Sequence, residues 1–256
     1  DGGNTRFAVY DTAGRLVTTH RRENDRVVSP WPLGFDTRGN LYDLGSSGQG
    51  RELIVRFGPG LQPLDTFLLP AFELPAFEVT HMEGNTTRID MITVPFAGLQ
   101  QWRMDPEGFV WVGVTDRYRI ERHRFDGTVD RVIERNVKPR RVTREQRRRA
   151  LAGHADFERK GGRIDASRIP QTMPVFQGFF FDDKGNVWVM RTGERNQPKP
   201  ADVFDRTGRY LGQVLLPTRL LSSPAPVVRG SRVVGVVQDE DQVESVVVLR
   251  IEKPRR

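Results

Sequence analysis

Four histidines are the side chains of this sequence best suited to metal binding or proton transfer: His20, His81, His123 and His154. No two of them have the H-x-x-x-H spacing that puts a pair of zinc ligands on one helix face. The sequence contains no cysteine, which excludes a thiol nucleophile, a disulfide and a cysteine-ligated zinc site. We therefore interpret the histidines as surface or structural residues, and we predict no metal site and no cofactor.

Two runs of carboxylates are the other candidates for chemistry, Asp182-Asp183 and Asp239-Glu240-Asp241. The first lies in a repeated turn and the second in a hairpin loop. We interpret both as solvated turns, with weak calcium binding as the alternative. A serine hydrolase would need a G-x-S-x-G elbow, which the sequence lacks; Gly45-Ser46-Ser47-Gly48 resembles a flexible loop instead.

Aromatic and arginine side chains mark a possible ligand site. They lie in or just outside the inner strands of the repeat described below, where loops would border a central funnel. The alternative is that Trp102 packs in the core between repeats and that the arginines are charges on the rim. The candidate ligand-binding residues are Trp31, Trp102, Arg103, Tyr118 and Arg191.

The positive charge of the chain is concentrated in one segment. Residues 138–163 contain ten basic and three acidic residues, and this net charge of +7 equals that of the whole chain. Such a segment is either a solvated face or a surface for an acidic partner or an anionic membrane surface. It lacks interleaved aromatics for stacking bases, so a nucleic acid is not expected. The candidate partner surface is Arg144, Arg147, Arg148 and Arg149.

The same segment carries a helix signal. Thr143-Arg144-Glu145-Gln146 fits a capping box, with Thr143 as the N-cap and Gln146 at the third helical position. Residues 147–160 are then predicted to be helical, and Gly161-Gly162 to end the helix. Leu151 and Ala155 form only a narrow apolar stripe, so we expect the helix to pack weakly.

A turn pattern repeats along the chain and defines the predicted architecture. It reads apolar, Asp, two polar residues, Gly, any residue, aliphatic, aromatic, and it occurs at residues 35–42, 104–111 and 181–188. The Asp can accept backbone N–H bonds inside the turn, and the Gly supplies a positive φ. The last two positions begin a strand.

A second turn type follows each copy at a matched distance. Asp105 lies 20 residues before Phe125 and Asp182 lies 22 before Phe204, and the counterpart after Asp36 is Gly58-Pro59-Gly60. Two hairpins in register give four antiparallel strands, the size of one propeller blade. We therefore predict an all-β propeller, with a β-sandwich pair or an irregular all-β domain as the alternatives.

The predicted propeller is one domain over residues 1–256. No segment approaches 18 consecutive apolar residues, so no membrane span is predicted. An outer hairpin at Asp11 without an inner partner upstream leads us to expect that strands preceding Asp1 are missing. The predicted parts are blades at about 1–30 (partial), 31–70, 71–96 (degenerate), 97–137, 172–217 and 225–252 (partial), and a helical insertion at 138–168.

These turns, together with residues 102–108, 115–120 and 203–212, resemble the bacterial six-bladed β-propeller proteins related to the NHL-repeat group. The resemblance covers most of residues 5–251, and residues 71–96 depart from it. It implies six blades and a periplasmic, extracellular or cell-envelope location.

The resemblance implies no defined activity. We expect a non-catalytic binding or scaffold propeller that recognises a protein or small ligand at its face. The alternative is a metal-dependent lactone or ester hydrolase. Related propellers with that activity hold a divalent ion with a Glu, an Asn and an Asp, a trio that no motif locates here.

Overall fold

The computed structural model describes residues 6–21, 33–48, 51–193, 198–221, 224–239 and 241–252. These residues form antiparallel sheets of sequential strands, with two short α-helices and one 3-10 helix between β12 and β13. The predicted Trp31 and Glu240 lie outside the described residues. No helix in the part of the chain that the structure describes is long and apolar enough to cross a membrane.

Eight strands precede residue 100. β1 and β2 form a hairpin, β3 to β6 form a four-stranded sheet in sequential order, and β7 and β8 form a second hairpin. Their bounds are β1 Arg6–Tyr10, β2 Leu16–Arg21, β3 Gly34–Phe35, β4 Leu41–Ser46, β5 Glu52–Phe57, β6 Pro63–Leu68, β7 Ala76–Glu83 and β8 Thr86–Thr93.

Eleven strands follow. β9 to β12 and β13 to β16 each form a four-stranded sheet in sequential order, and β17 to β19 form a three-stranded sheet. Their bounds are β9 Gln100–Met104, β10 Val110–Val114, β11 Arg119–His123, β12 Val129–Glu134, β13 Phe176–Phe181, β14 Val187–Arg191, β15 Lys199–Phe204, β16 Tyr210–Leu216, β17 Val227–Arg229, β18 Arg232–Gln238 and β19 Glu244–Arg250.

Sequential antiparallel sheets of this kind are the blades of a β-propeller, and the fold is all-β and of that type. Four sheets of the described residues, not six, have the three or four strands of a blade. The predicted degenerate blade at 71–96 contains only the β7–β8 hairpin, whose strands have no turn motif of the repeated kind. The predicted blade count of six therefore fails for the sheets that are described.

The contacts of the chain divide it into two compact units. Unit 1 comprises Asp1–Ala71, Met104–Trp111 and Arg122–Asp130, and unit 2 comprises Phe72–Arg103, Val112–Glu121 and Arg131–Arg256. The single domain over 1–256 stays a prediction.

The repeated turns are closed by both oxygens of their aspartate. In the turn of β13 and β14, Oδ1 of Asp182 accepts the backbone N–H groups of Lys184 (3.0 Å) and Asn186 (2.8 Å). Its Oδ2 accepts the indole N–H of Trp188 at 3.1 Å. The turn glycine, Gly185, has φ +75°, the left-handed conformation that favours glycine. Asp36 with Tyr42, and Asp105 with Trp111, repeat the arrangement.

The insertion, predicted to hold one helix over residues 147–160, contains two α-helices, α1 Arg144–Ala152 and α2 Ala155–Arg159, and a 3-10 helix at Ala166–Arg168. The predicted capping box is confirmed: Thr143 Oγ1 accepts from Gln146 N at 3.1 Å, and Gln146 Oε1 accepts from Thr143 N at 2.9 Å. The insertion also packs better than its sequence indicates, because Phe157 is buried with Phe77 of β7 in one apolar cluster.

Candidate functional site

Two of the predicted ligand residues meet around a buried carboxylate in unit 2. Asp202, in β15, has no exposed surface. The Tyr118 hydroxyl donates to its Oδ2 at 2.9 Å, and Nε of Arg191 lies 3.9 Å from the same oxygen. Arg135 contributes a second guanidinium, with a nitrogen 2.8 Å from Oδ2.

This network is part of the protein interior. Tyr118 is 3% exposed, and burial together with the Asp202 charge raises the pKa of its phenol far above the usual value. Burial lowers the pKa of the Arg135 guanidinium, but Asp202 and Tyr210 outweigh burial and raise it. At neutral pH the Tyr118 phenol is therefore neutral and the Arg135 guanidinium is charged. Through Arg191, the last residue of β14, the network connects that strand end to Asp202 of β15.

Two other predicted ligand-binding residues, Trp102 and Arg103, lie away from this network on β9 and are half-buried. A guanidinium nitrogen of Arg103 donates to the backbone oxygen of Trp102 at 2.7 Å, and burial lowers the pKa of Arg103. Their neighbour Gln101 lines the cavity described next, whereas neither of these two described residues does. The structure thus brings Tyr118 and Arg191 together and leaves Trp102 and Arg103 apart from them.

A cavity of about 1010 Å³ lies within unit 2. The cavity walls include the segments that follow strands β8, β10, β14 and β16. The segment that precedes β13 and the helix α1 complete these walls. Its lining includes amides, hydroxyls, two cationic side chains and an apolar group of Val94, Phe96, Met173, Pro174 and Phe176. A volume of this size is at the upper end of the range for small-molecule sites, which are mostly apolar with a few polar groups.

The insertion forms one wall of this cavity. Gln146 and Ala150 of α1, four residues apart, face the cavity together with His154, which follows the helix. Leu151 of the same helix packs against the apolar cluster that contains Phe157. The insertion is therefore anchored by one face and shapes the cavity with another.

Polar atoms gather where β14 ends and β15 begins. Thr192, Gly193 and Lys199 all line the cavity. Oγ1 of Thr192 and Nζ of Lys199 are both shielded from solvent. A Cβ added to Gly193 would lie 2.9 Å from Cδ and 3.7 Å from Nζ of Lys199, so the lysine side chain packs closely against this backbone.

An unusual backbone conformation occurs in the same lining. Phe96 has φ +63°, in the left-handed region that bulky side chains rarely adopt. Such conformations cost on the order of 1–3 kcal/mol and persist where the surrounding structure imposes them, often at ligand sites. The Phe96 ring packs against the cluster of Phe77 and Phe157 while the residue lines the cavity.

No group of three His, Cys, Asp or Glu residues that could hold a metal ion occurs among the residues described. His81 pairs with Asp90 at 3.2 Å, and Asp90 also accepts from Lys160 of the insertion at 2.6 Å. His123 is buried beside Phe67 in unit 1, with ring centroids 5.6 Å apart. The alternative of a metal-dependent hydrolase stays a prediction.

The four arginines of the predicted partner surface differ in their contacts. Arg147 donates to the backbone oxygens of Ala166 and Ile169, and Arg149 pairs with Glu145 on the same helix. Both are therefore engaged within the insertion. Arg144 and Arg148 are exposed, four residues apart on one face of α1.

The cavity residues Thr192, Lys199 and Phe96 were not predicted from the sequence. Arg191 was predicted, and the next residue along the chain lines the cavity. The local sequence signal for this part of the cavity is Gly193, which follows the end of β14. A glycine at such a position can mark the close approach of another group to the backbone.

No protein-family model and no curated protein matches the chain. Among solved structures, it is similar to a streptogramin B lyase structure at 10% identity, over 97% of this chain and 78% of that chain, with a TM-score of 0.36. It is also similar to a virginiamycin B lyase from Staphylococcus aureus at 14% identity, over 87% of this chain and 73% of that chain, with a TM-score of 0.27. A protein of unknown function from Bacteroides caccae has 13% identity, over 83% of this chain and 75% of that chain, with a TM-score of 0.26. These similarities do not assign the chain to a protein family.

Proposed function

We propose that the protein is a binding β-propeller that takes a small ligand in the cavity of unit 2. The observation that carries the proposal is the cavity itself, about 1010 Å³ and lined by polar and apolar residues in similar measure. Concave sites that combine apolar surface with polar groups are the usual locations of small ligands. The buried network around Asp202 supports the proposal, because it connects Arg191 at the end of β14, next to the cavity residue Thr192, to Asp202 of β15.

The insertion gives a direct test of location. Ala150→Phe places a ring in the cavity from the α1 wall, whereas Ala152→Phe makes the same change at an exposed position of the same helix. The probe is phenylnaphthylamine, a neutral apolar dye whose fluorescence rises on leaving water. We expect the parent and Ala152→Phe to bind it within about twofold of each other, and Ala150→Phe to bind it at least about tenfold more weakly, a loss of about 1.4 kcal/mol.

Melting temperatures of both variants provide the folding control. Equal dye affinity for all three folded proteins would place the dye outside the cavity and contradict the proposed function. Release of product from a lactone or ester substrate, dependent on a divalent ion, would instead favour the hydrolase.

We also propose a partner for the exposed arginines of α1. Arg144 and Arg148 present like charges on one helix face, and neither forms an ion pair with another of the described residues. An acidic protein or an anionic surface would supply the opposite charge. A bacterial cell-envelope location and six blades in the whole propeller are proposed from the resemblance of the turns alone.

A further inference from the structure

Primary amides line the cavity of unit 2 from several directions. Gln101 lies in β9 and Gln177 in β13, each at one edge of a four-stranded sheet. Gln146 lies in α1, and Gln238 is the last residue of β18. All four residues line the cavity, so amide groups from four separate elements border one volume.

Gln177 occupies a β-bulge. The residues on either side of it, Phe176 and Gly178, pair with consecutive residues of β14. Gln177 is therefore the extra residue that defines the bulge, and bulges beside functional sites commonly redirect a side chain. The Gln177 side chain is half-buried and forms no hydrogen bond with another of the described residues. Its amide is therefore available to a ligand.

Two of the other amides keep hydrogen-bonding groups that the fold does not use. Oε1 of Gln146 accepts the backbone N–H of Thr143 at 2.9 Å in the capping box, which leaves the amide N–H groups of Gln146. Nε2 of Gln101 donates to the backbone oxygen of Gln100 at 3.2 Å, which leaves its amide oxygen as an acceptor. An amide stays uncharged and offers donors and an acceptor side by side. Such side chains suit a ligand whose polar groups both donate and accept.

The apolar part of the lining supplies packing surface next to these amides. Phe96, Met173 and Pro174 are each partly exposed and line the cavity. A sugar ring matches both kinds of surface, because its hydroxyls donate and accept around the rim while its C–H groups form an apolar face. An extended peptide presents its backbone groups along two edges instead, which fits amides that converge from several sides less well.

We infer that the cavity recognises a saccharide, with Gln177, Gln101 and Gln146 forming hydrogen bonds to its hydroxyls. The inference rests on the proposed function, because it names the ligand class of the same cavity. It is tested on the parent chain by displacement of phenylnaphthylamine and by saturation-transfer NMR, which also registers a saccharide that binds beside the dye. The panel consists of short oligosaccharides, uncharged ones of glucose, mannose, galactose or N-acetylglucosamine and acidic ones that contain uronic acids. We expect at least one of them to bind at millimolar concentration or below.

Gln177→Met removes the amide and keeps the length of the side chain. We expect it to weaken the binding of that saccharide at least about tenfold and to change the affinity for the neutral dye by less than about twofold. Gln171→Met makes the same change at an exposed position outside the lining and should bind the saccharide as the parent does. Gln101→Met provides a second variant if Gln177→Met fails to fold, as judged by its melting temperature.

The inference is overturned if the dye binds and no saccharide of the panel does, or if the folded glutamine variants bind the saccharide as tightly as the parent. Binding of a neutral peptide such as tetraalanine in place of any saccharide would overturn it too. These outcomes are separate from the proposed function. Dye binding that Ala150→Phe abolishes would leave the cavity as a ligand site for another class of molecule.

Discussion

Tyr42→Phe tests whether the closing hydrogen bond of a repeated turn stabilises the fold. Tyr42 has no exposed surface, and its hydroxyl donates to Oδ2 of Asp36 at 2.9 Å. Hydrogen bonds to charged groups contribute about 1.5–3 kcal/mol, and the substitution removes this one without leaving a large void. We expect the free energy of unfolding in urea at pH 7 to fall by about that amount.

The pH dependence gives the sharper test. Burial raises the pKa of Asp36, but hydrogen bonds from Asn40, Tyr42 and the backbone outweigh burial and hold it below the ordinary value of 3.8. A depressed folded pKa stabilises the protein above the unfolded pKa, and that stability is lost as the pH falls through the folded pKa. Tyr42→Phe removes one cause of the depression, so its destabilisation should be largest at pH 7 and should shrink toward the acid limit.

Tyr10→Phe is the matched control, because Tyr10 is 60% exposed and should change stability by less than about 0.5 kcal/mol. The reasoning would be refuted if the two variants lost equal stability at pH 7. A destabilisation by Tyr42→Phe that grew as the pH fell would refute it too, since protonated Asp36 accepts the bond less strongly.

Two further variants, one of them a double substitution, test the insertion. Replacing both Arg144 and Arg148 by Gln should keep the melting temperature within a few degrees of that of the parent. The variant should also elute from an anionic heparin column at a lower salt concentration, because surface ion pairs are screened within about 8 Å at physiological ionic strength. An unchanged elution position would count against the proposed partner surface. Gly162→Ala should destabilise the protein by about 1–3 kcal/mol in thermal unfolding, since its Cβ would overlap the buried Phe157 ring. Gly153→Ala, where the nearest atom is 3.6 Å away, is its control and should be nearly neutral.

The repeated turns could be predicted because their chemistry is local. Asp36, Asp105 and Asp182 bond to backbone groups two and four residues along, and sequence spacing states this directly. The hydrogen bond from the tyrosine or tryptophan six positions after the aspartate was not predicted. It requires the aromatic side chain to reach back to the turn, and the alternation of residues along a strand does not specify that direction.

The candidate site was harder to predict because its residues are far apart in the sequence. Tyr118 and Asp202 are 84 positions apart, and no local pattern links a tyrosine to a buried aspartate at that distance. The cavity wall from α1 depends on where the insertion docks, which is decided by Phe157 and the β7–β8 hairpin. Phe157 is an isolated aromatic in a charged segment and lies outside the apolar stripe of Leu151 and Ala155 that the sequence indicates.

The aspartate-closed turns also have a consequence for how the chain folds. Each closure joins residues at most six positions apart, and each sheet uses strands that follow one another directly. Contacts between near neighbours in sequence form with little loss of loop entropy, and hairpins close within about 1–10 μs. Each four-stranded sheet can therefore begin to form from its own stretch of 35 to 41 residues as synthesis proceeds, before the next stretch leaves the ribosome. Turn variants such as Tyr42→Phe should accordingly slow refolding as well as lower stability.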